Sequence, residues 1–172
     1  MKKSMKLKVC LASAIACSSL LLAGQSHAQL VTGVGYHELS DDDISLGVIS
    51  GSVGYQFGDG SSGFSYTPEF RIGTGVQDDT ITDVKVEVEA FYGFALRGEY
   101  VFDNGAYLFA APSYSNLEVK FSAGGFSATE DEWEFGGGGG IGYQFTDYTS
   151  VELAYEKFDD LDVIGIAVRM KF

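Results

Sequence analysis

The last ten residues of the chain, 163–172, alternate strictly between two kinds of position. Every second residue is apolar, in the order Ile164, Ile166, Val168, Met170 and Phe172. The positions between them run from small or apolar residues to Arg169 and Lys171. A period of two is typical of a β-strand with two different faces. Because about ten tilted residues suffice for a strand to cross a bilayer, and nothing follows to cover the apolar face, this segment predicts a membrane-spanning strand.

A strand can lie in lipid only when all its backbone groups are hydrogen-bonded, which requires a closed barrel. The sequence contains 23 Gly, 10 Tyr and 13 Phe but only two Pro, and no segment carries a sustained helical stripe. We therefore predict an all-β fold, an eight-stranded antiparallel up-and-down transmembrane β-barrel whose last strand pairs with the first. The predicted strands are 29–38, 44–57, 64–77, 84–102, 106–119, 131–145, 149–158 and 163–172.

Residues 1–28 have the features of an export signal. Four lysines precede an apolar run over 9–23, and Ser26, His27 and Ala28 offer small residues for cleavage after Ala28. Lipidation at Cys17 is the alternative. The predicted organisation is therefore a signal peptide over 1–28 and one β-barrel domain over 29–172.

Removal of this segment changes the composition of the chain. Both cysteines, Cys10 and Cys17, lie in it, so no disulfide or thiolate site is expected in the mature protein. Four of the 11 basic residues and none of the 24 acidic residues are lost, which leaves a net charge of −17. Such a chain lacks the basic face that nucleic-acid binding requires.

Two kinds of connection alternate along the chain. Residues 58–63, 103–105 and 146–148 are short turns, whereas 40–43, 78–83, 120–130 and 159–162 are longer or more acidic, and 120–130 is expected to be the longest loop. This alternation predicts a rim of turns and a rim of loops. Aromatic residues near the turns predict an interfacial girdle of Phe57, Phe64, Phe102, Tyr107, Phe145 and Tyr148.

The fourth and fifth strands differ in how clearly their faces can be assigned. Alternation in the fourth strand places Val84, Val86 and Val88 on the same face as Tyr92, Phe94 and Leu96. It places Lys85, Glu87 and Glu89 on the opposite face, and the outer end of this long strand is expected to project into water. In the fifth strand both sets of alternate positions are apolar. Its register stays open, with either Tyr107 and Phe109 or Leu108 and Tyr114 towards lipid.

The signal segment, the alternating strands, the Gly-Tyr-Gln-Phe-Thr-Asp turn at 142–147 and the terminal Arg-Met-Lys-Phe resemble the small eight-stranded outer-membrane barrels of Gram-negative bacteria, the OmpX/Ail and OmpA-barrel type. The resemblance covers the whole mature chain. It implies a location in the outer membrane among lipid and lipopolysaccharide, and no peptidoglycan-binding domain after the barrel. It also implies that the barrel-assembly machinery reads the terminal residues Ile166, Val168, Met170 and Phe172.

Charged residues on the interior faces are the first candidate site. An eight-stranded barrel is just filled by side chains, and a buried charge is tolerable only when it is paired. We predict a plug of ion pairs among Glu69, Arg71, Arg97, Glu99, Glu152 and Arg169. Two functions remain open, a closed barrel with a packed interior, which we prefer, and a gated narrow path for ions.

Two motifs point weakly to other chemistry. Gly137–Gly142 matches the dinucleotide-binding pattern Gly-x-Gly-x-x-Gly, but strand alternation continues through it, so the glycines are expected to bend the strand and make room. His37 is the only mature histidine, and lipid A acyl hydrolases of this architecture use a His-x-Ser pair. Here Ser40 departs from that spacing, so we expect no enzyme and no cofactor.

Acidic residues at the predicted loop rim are the second candidate site. Carboxylate clusters suit calcium or magnesium, although such loops are also simply solvated. The residues are Asp41, Asp42, Asp43, Asp78, Asp79, Asp83, Asp159, Asp160 and Asp162. The sequence thus favours an envelope barrel with a structural or surface-interaction role, with a small-solute pore as the alternative and a lipid-modifying hydrolase as the third candidate; it does not define an oligomeric state.

Overall fold

The structure, a computed structural model, describes residues 28–41, 44–58, 62–81 and 83–172. Residues 1–27 of the predicted signal peptide and the candidate residues Asp42 and Asp43 lie outside these ranges. The described residues form nine strands, which are β1 (Gln29–Asp41), β2 (Ile44–Gly58), β3 (Gly63–Gln77), β4 (Asp79–Ile81), β5 (Val84–Val101), β6 (Ala106–Ala123), β7 (Phe126–Thr146), β8 (Thr149–Phe158) and β9 (Leu161–Lys171). No helix within the described ranges is long and apolar enough to cross a membrane.

Eight of these strands form a closed antiparallel ring. Their order is β3-β2-β1-β9-β8-β7-β6-β5, and pairing of β5 with β3 closes the circle. The last strand lies against the first, with Val31 opposite Lys171 and Ser40 opposite Asp162. The short strand β4 pairs with the outer end of β5. The predicted fold, an eight-stranded up-and-down barrel, is confirmed.

The outer wall is apolar over a height that matches a bilayer. Along β5 the outward residues from Tyr92 to Phe102 include Phe94 and Leu96, which are 59% and 53% exposed. Ten residues at about 3.3 Å each, tilted by about 40°, span roughly 25 Å, the height of the apolar band in outer-membrane barrels. In β9 the predicted lipid row, Ile164 to Phe172, also faces outward.

A β-bulge in β5 reverses the faces that the alternation predicted for its outer end. The pairing of β5 with β6 shifts between Val88 and Ala90, so Glu89 is an extra residue. Beyond it Val86 and Val88 point into the lumen and are each 4% exposed. Lys85 and Glu87 lie on the outside, where Lys85 binds Glu87 at 2.7 Å. The prediction that Val86 and Val88 share the face of Tyr92 and Phe94, with Lys85 and Glu87 on the opposite face, was therefore wrong.

The predicted long loop over 120–130 is a β-hairpin, so that prediction was also wrong. Strands β6 and β7 continue to Ala123 and Phe126 and are joined by Gly124 and Gly125. These glycines have φ values of 57° and 88°, and positive φ at both central residues is the requirement of the tight hairpin turn whose twist matches the strands. The wall of the barrel extends into this ribbon beyond the apolar band.

The structure resolves the register of the fifth predicted strand, which is β6. Tyr107 and Phe109 face the lumen and are 2% and 7% exposed, whereas Leu108 faces outward and is 50% exposed. Tyr107 therefore does not belong to the outer girdle, contrary to the prediction. The other girdle residues with large exposure at the turn rim are Phe64, Phe102, Phe145 and Tyr148.

Candidate functional site in the barrel lumen

Eight charged side chains form a chain of alternating sign through the lumen, which we call the ion-pair chain. From the turn rim upward its order is Lys171, Glu99, Arg97, Glu152, Arg169, Glu69, Arg71 and Glu156. Four members are acidic and four are basic, so their formal charges cancel. Burial is nearly complete at Arg97 and Glu69, which are 1% and 4% exposed.

The contacts within the ion-pair chain are hydrogen-bonded as well as ionic. The Arg97 guanidinium donates to both carboxylate oxygens of Glu152, at 3.2 and 2.6 Å. Arg169 donates to Glu69 at 2.9 Å. Arg71 donates to the other oxygen of Glu69 at 2.8 Å. Such bidentate and charge-assisted bonds are what make buried charges tolerable.

The ion-pair chain crosses the lumen. Its members lie on β3, β5, β8 and β9, and in the ring the pair β3 and β5 is separated from the pair β8 and β9 by two strands on either side. The contacts Arg97 to Glu152, Arg169 to Glu69 and Arg71 to Glu156 therefore each join opposite walls. This geometry fills the lower part of the barrel with paired side chains.

Aromatic side chains of β6 complete the packing around Arg97. Its guanidinium carbon lies 3.5 Å from the centroid of the Phe109 ring, a cation–π contact in a desolvated setting. The Tyr107 hydroxyl lies 3.1 Å from Oε2 of Glu152 and 3.1 Å from the Ser150 hydroxyl. The rings, the guanidinium and the carboxylates thus form one packed layer.

Glycines of β7 make the room that these side chains occupy. Gly140 lies directly opposite Phe109 in the ladder, and Gly142 lies opposite Tyr107. A Cβ atom at Gly140 would lie 2.7 Å from the Phe109 ring, closer than real contacts allow. The glycine run therefore provides space for interior rings, as its strand alternation indicated, and it opens no helix.

All six interior charges proposed from the sequence lie in the ion-pair chain. Two members were not in that set, Glu156 and Lys171, although both occupy inward positions of their strands. Glu156 binds Arg71 at 2.5 Å, and Lys171 lies 3.7 Å from Glu99. Among the described residues every basic side chain, inside or outside the barrel, has a carboxylate partner within 4 Å.

A cavity of about 590 Å³, which we call the upper cavity, lies between the ion-pair chain and the loop rim. Arg71 and Glu156 form part of its floor, and the turn at Asp159 and Asp160 lies at its mouth. The apolar cluster that includes Leu39, Val48 and Phe158 surrounds its middle. Within the described residues, the ion-pair chain thus fills the lower half of the barrel, and the upper half holds a partly apolar cavity.

His37 lines the upper cavity and is bound to a serine other than Ser40. Its Nε2 atom lies 2.8 Å from the Ser50 hydroxyl. Its Nδ1 side packs against Gly165, where a Cβ atom would collide with the imidazole. Within the described part of the chain no carboxylate is hydrogen-bonded to this histidine, so the third member that orients a catalytic imidazole is not in place.

Three of the seven described acidic loop residues contact protein groups. Asp78 binds Lys85 at 3.2 Å, and Asp162 binds Lys157 at 3.1 Å. Hydrogen bonds from the backbone amides of Ser45 and Thr80 lower the pKa of the Asp79 carboxyl. No group of three or more His, Cys, Asp or Glu residues in the described ranges is arranged to hold a metal ion. Binding of a divalent cation by these loops stays a prediction.

These features define a class of protein, a transmembrane β-barrel of eight strands with an apolar outer wall and a lumen crossed by ion pairs. The family described as outer membrane protein beta-barrel domain matches residues 9–169. The chain belongs to this family. It is a protein of the Gram-negative outer membrane, where lipid and lipopolysaccharide surround it, and its role there is structural or one of surface interaction.

Solved structures with low sequence identity share the fold. Ail of Yersinia pestis has a TM-score of 0.58 and 14% identity, with 87% of this chain and 100% of that chain covered. The barrel domain of Pseudomonas aeruginosa OprF has a TM-score of 0.56 and 11% identity over 85% and 100%. Neisserial surface protein A has a TM-score of 0.53 and 14% identity over 87% and 99%. No match was found among curated protein sequences.

Proposed function

We propose that this protein is a non-conducting structural barrel of the outer membrane, closed by its ion-pair chain. The observation that carries the proposal is the set of four charged contacts that join opposite walls, Lys171 to Glu99, Arg97 to Glu152, Arg169 to Glu69 and Arg71 to Glu156. An ion that passed this point would have to displace a paired side chain from a desolvated layer. Separation of a buried pair costs several kcal/mol, which opposes a permanent path.

Conductance across a planar lipid bilayer tests this closure. We expect the reconstituted wild-type barrel to give no stable large channel. The double variant Arg71→Ser, Arg169→Ser removes two of the cross-lumen contacts, and we expect water to enter and openings to become frequent. A stable, large wild-type conductance would support the pore instead.

A matched control separates loss of the plug from loss of charge. The variant Lys85→Ser, Lys120→Ser removes the same two positive charges, but from side chains that are 45% and 30% exposed outside the barrel. This variant should give no more channel openings than the wild type. Equal openings in both double variants would contradict a specific plug.

The third candidate function, lipid A hydrolysis, has one observation in its favour, the contact of His37 with Ser50. We propose that it is a packing contact, because the imidazole lacks an orienting carboxylate and faces the lumen rather than lipid. Purified protein with lipopolysaccharide should release no fatty acid. Release that is lost in both His37→Ala and Ser50→Ala would establish an enzyme and overturn the proposal.

The partners that we propose are the barrel-assembly machinery and the surrounding lipopolysaccharide. The terminal residues Ile166, Val168, Met170 and Phe172 lie on the lipid face at exposures of 41 to 69%, where an assembly factor can reach them. The Ail structure includes a complex with the heparin analogue sucrose octasulfate. The acidic loop rim of this chain is unfavourable for such a polyanion, so we do not extend that binding to it.

A further inference from the structure

The upper cavity combines features that a ligand site needs. Its volume of about 590 Å³ falls within the range of small-molecule sites. The ion-pair chain closes it below, and the loop rim leaves it open above. Any ligand therefore enters from the outer side and is held above the plug, whether or not the plug ever opens.

The wall of the cavity towards the mouth is strongly acidic. Its carboxylates include three on the inward face of β7 and two on the turn before β9, namely Glu130, Glu132, Glu134, Asp159 and Asp160. None of these five takes part in an ion pair within the described residues. The basic side chains that line the cavity, Arg71, Arg97 and Arg169, lie at its floor and are already paired. The field in the upper part therefore attracts cations.

The middle of the cavity is apolar. Leu39, Phe91, Leu117, Phe121, Phe158 and Val163 line it, and the bulge at Glu89 adds Val86 and Val88 to the same cluster. A hydrated inorganic ion gains nothing from such a wall, whereas an apolar body that enters it is removed from water. The cavity therefore selects for a ligand with both a cationic and an apolar part.

A buried hydroxyl gives an independent indication of a ligand. Ser115 lines the cavity and is 5% exposed, and its Oγ atom has no hydrogen-bond partner. It lies directly opposite Glu134 in the β6–β7 ladder, so the two side chains leave the same face about 5 Å apart. Four described residues have buried side-chain atoms without a partner, and among them only Ser115 lines this cavity. An ammonium group between Ser115 and Glu134 would donate to both.

We propose that the upper cavity binds an organic cation, a primary ammonium on a compact apolar body. The ammonium lies between Ser115 and Glu134, with Glu132 on the same face of β7 as a second carboxylate. The apolar body lies against Phe158 and Leu117 above the plug. A primary ammonium suits this place because its three N–H donors match the acceptors available.

The proposal is tested with 1-naphthylmethylammonium and three comparison compounds, by calorimetry on protein in phosphatidylcholine nanodiscs with empty nanodiscs as the blank. The uncharged 1-naphthalenemethanol, the anionic 1-naphthoate and putrescine, which lacks the apolar body, are titrated in parallel. We expect saturable binding of one naphthyl cation per barrel, at least tenfold tighter than any of the three. Equal affinity for the neutral alcohol or for putrescine would overturn it.

Substitutions separate this site from general attraction to an acidic rim. Ser115→Ala removes a hydroxyl that has no partner in the protein, so folding should be unaffected, while affinity should fall roughly tenfold because a hydrogen bond to a charged group is lost. The double variant Glu132→Gln, Glu134→Gln should lower the affinity for the naphthyl cation by a similar factor or more. Glu87→Gln, Glu89→Gln makes the same charge change on the outside of the rim and should have no effect. Equal losses of affinity in the two double glutamine variants, or an unchanged affinity in the Ser115→Ala variant, would refute the site.

Discussion

Replacement of Arg97 by Met should lower the free energy of unfolding by about 3–5 kcal/mol, the cost of breaking a buried ion pair by removing one partner. Arg97 is 1% exposed and is the cation that Glu152 and Glu99 share, with contacts of 2.6 and 3.1 Å. Met fills a similar volume, so the loss of unfolding free energy measures the removal of the cation between these two carboxylates rather than a cavity. Equilibrium urea titration of the barrel in vesicles, followed by tryptophan fluorescence of Trp133, gives the value.

Two further variants test whether burial of the ion pair causes this loss of unfolding free energy. Lys120→Met removes a cation that binds Glu87 and Glu89 at 3.1 and 3.0 Å, but at a side chain 30% exposed on the outside. Exposed pairs contribute little, so its titration should overlay that of the wild type. Arg97→Met, Glu152→Gln should recover part of the loss, since the stranded charge is also removed. If Arg97→Met and Lys120→Met had the same urea midpoint of unfolding, the interior would be wet and the plug would not exist.

The lipid-facing alternation could be predicted from the sequence because bilayer and lumen impose opposite polarities on neighbouring residues. That contrast ends where the barrel leaves the membrane. Beyond Tyr92 the outer face is wet and the lumen is apolar, so the same alternation of valines and charges fits either face. The signal of the bulge was local, a break in alternation where Ala90, Phe91 and Tyr92 follow one another.

The interior charges could be assigned to the lumen one strand at a time, but their pairing could not. Glu69 and Arg169 are 100 residues apart in sequence, and they meet only because β3 and β9 lie on opposite walls of a closed ring. The inward position of the aromatic residues of β6 could not be predicted from the sequence for a related reason. Phe109 fits the lumen because Gly140 faces it across the ladder, so its register depends on a neighbour and not on its own strand.

Replacement of Leu96 by Arg should cost about 2–4 kcal/mol of stability in a lipid bilayer, because an arginine on the lipid face at the midplane is removed from water. Leu96 lies at the middle of the apolar band between Tyr92 and Phe102 and is 53% exposed. The next residue along β5 is Arg97, which is buried and paired. One step along the strand therefore separates a place where arginine is required from one where it is excluded.

Val76→Arg is the matched control for depth. Val76 is also 53% exposed on the outer wall, but it lies four residues beyond Ile72, which pairs with Tyr92 at the upper limit of the band. Arginine near the interface costs only about 0–1 kcal/mol. Because the two side chains have the same exposure, a difference between the unfolding free energies of the two variants in vesicles reports the effect of lipid rather than of steric crowding. Equal and small losses at both positions would mean that water, not lipid, covers the wall at Leu96, and the transmembrane fold would then be untenable.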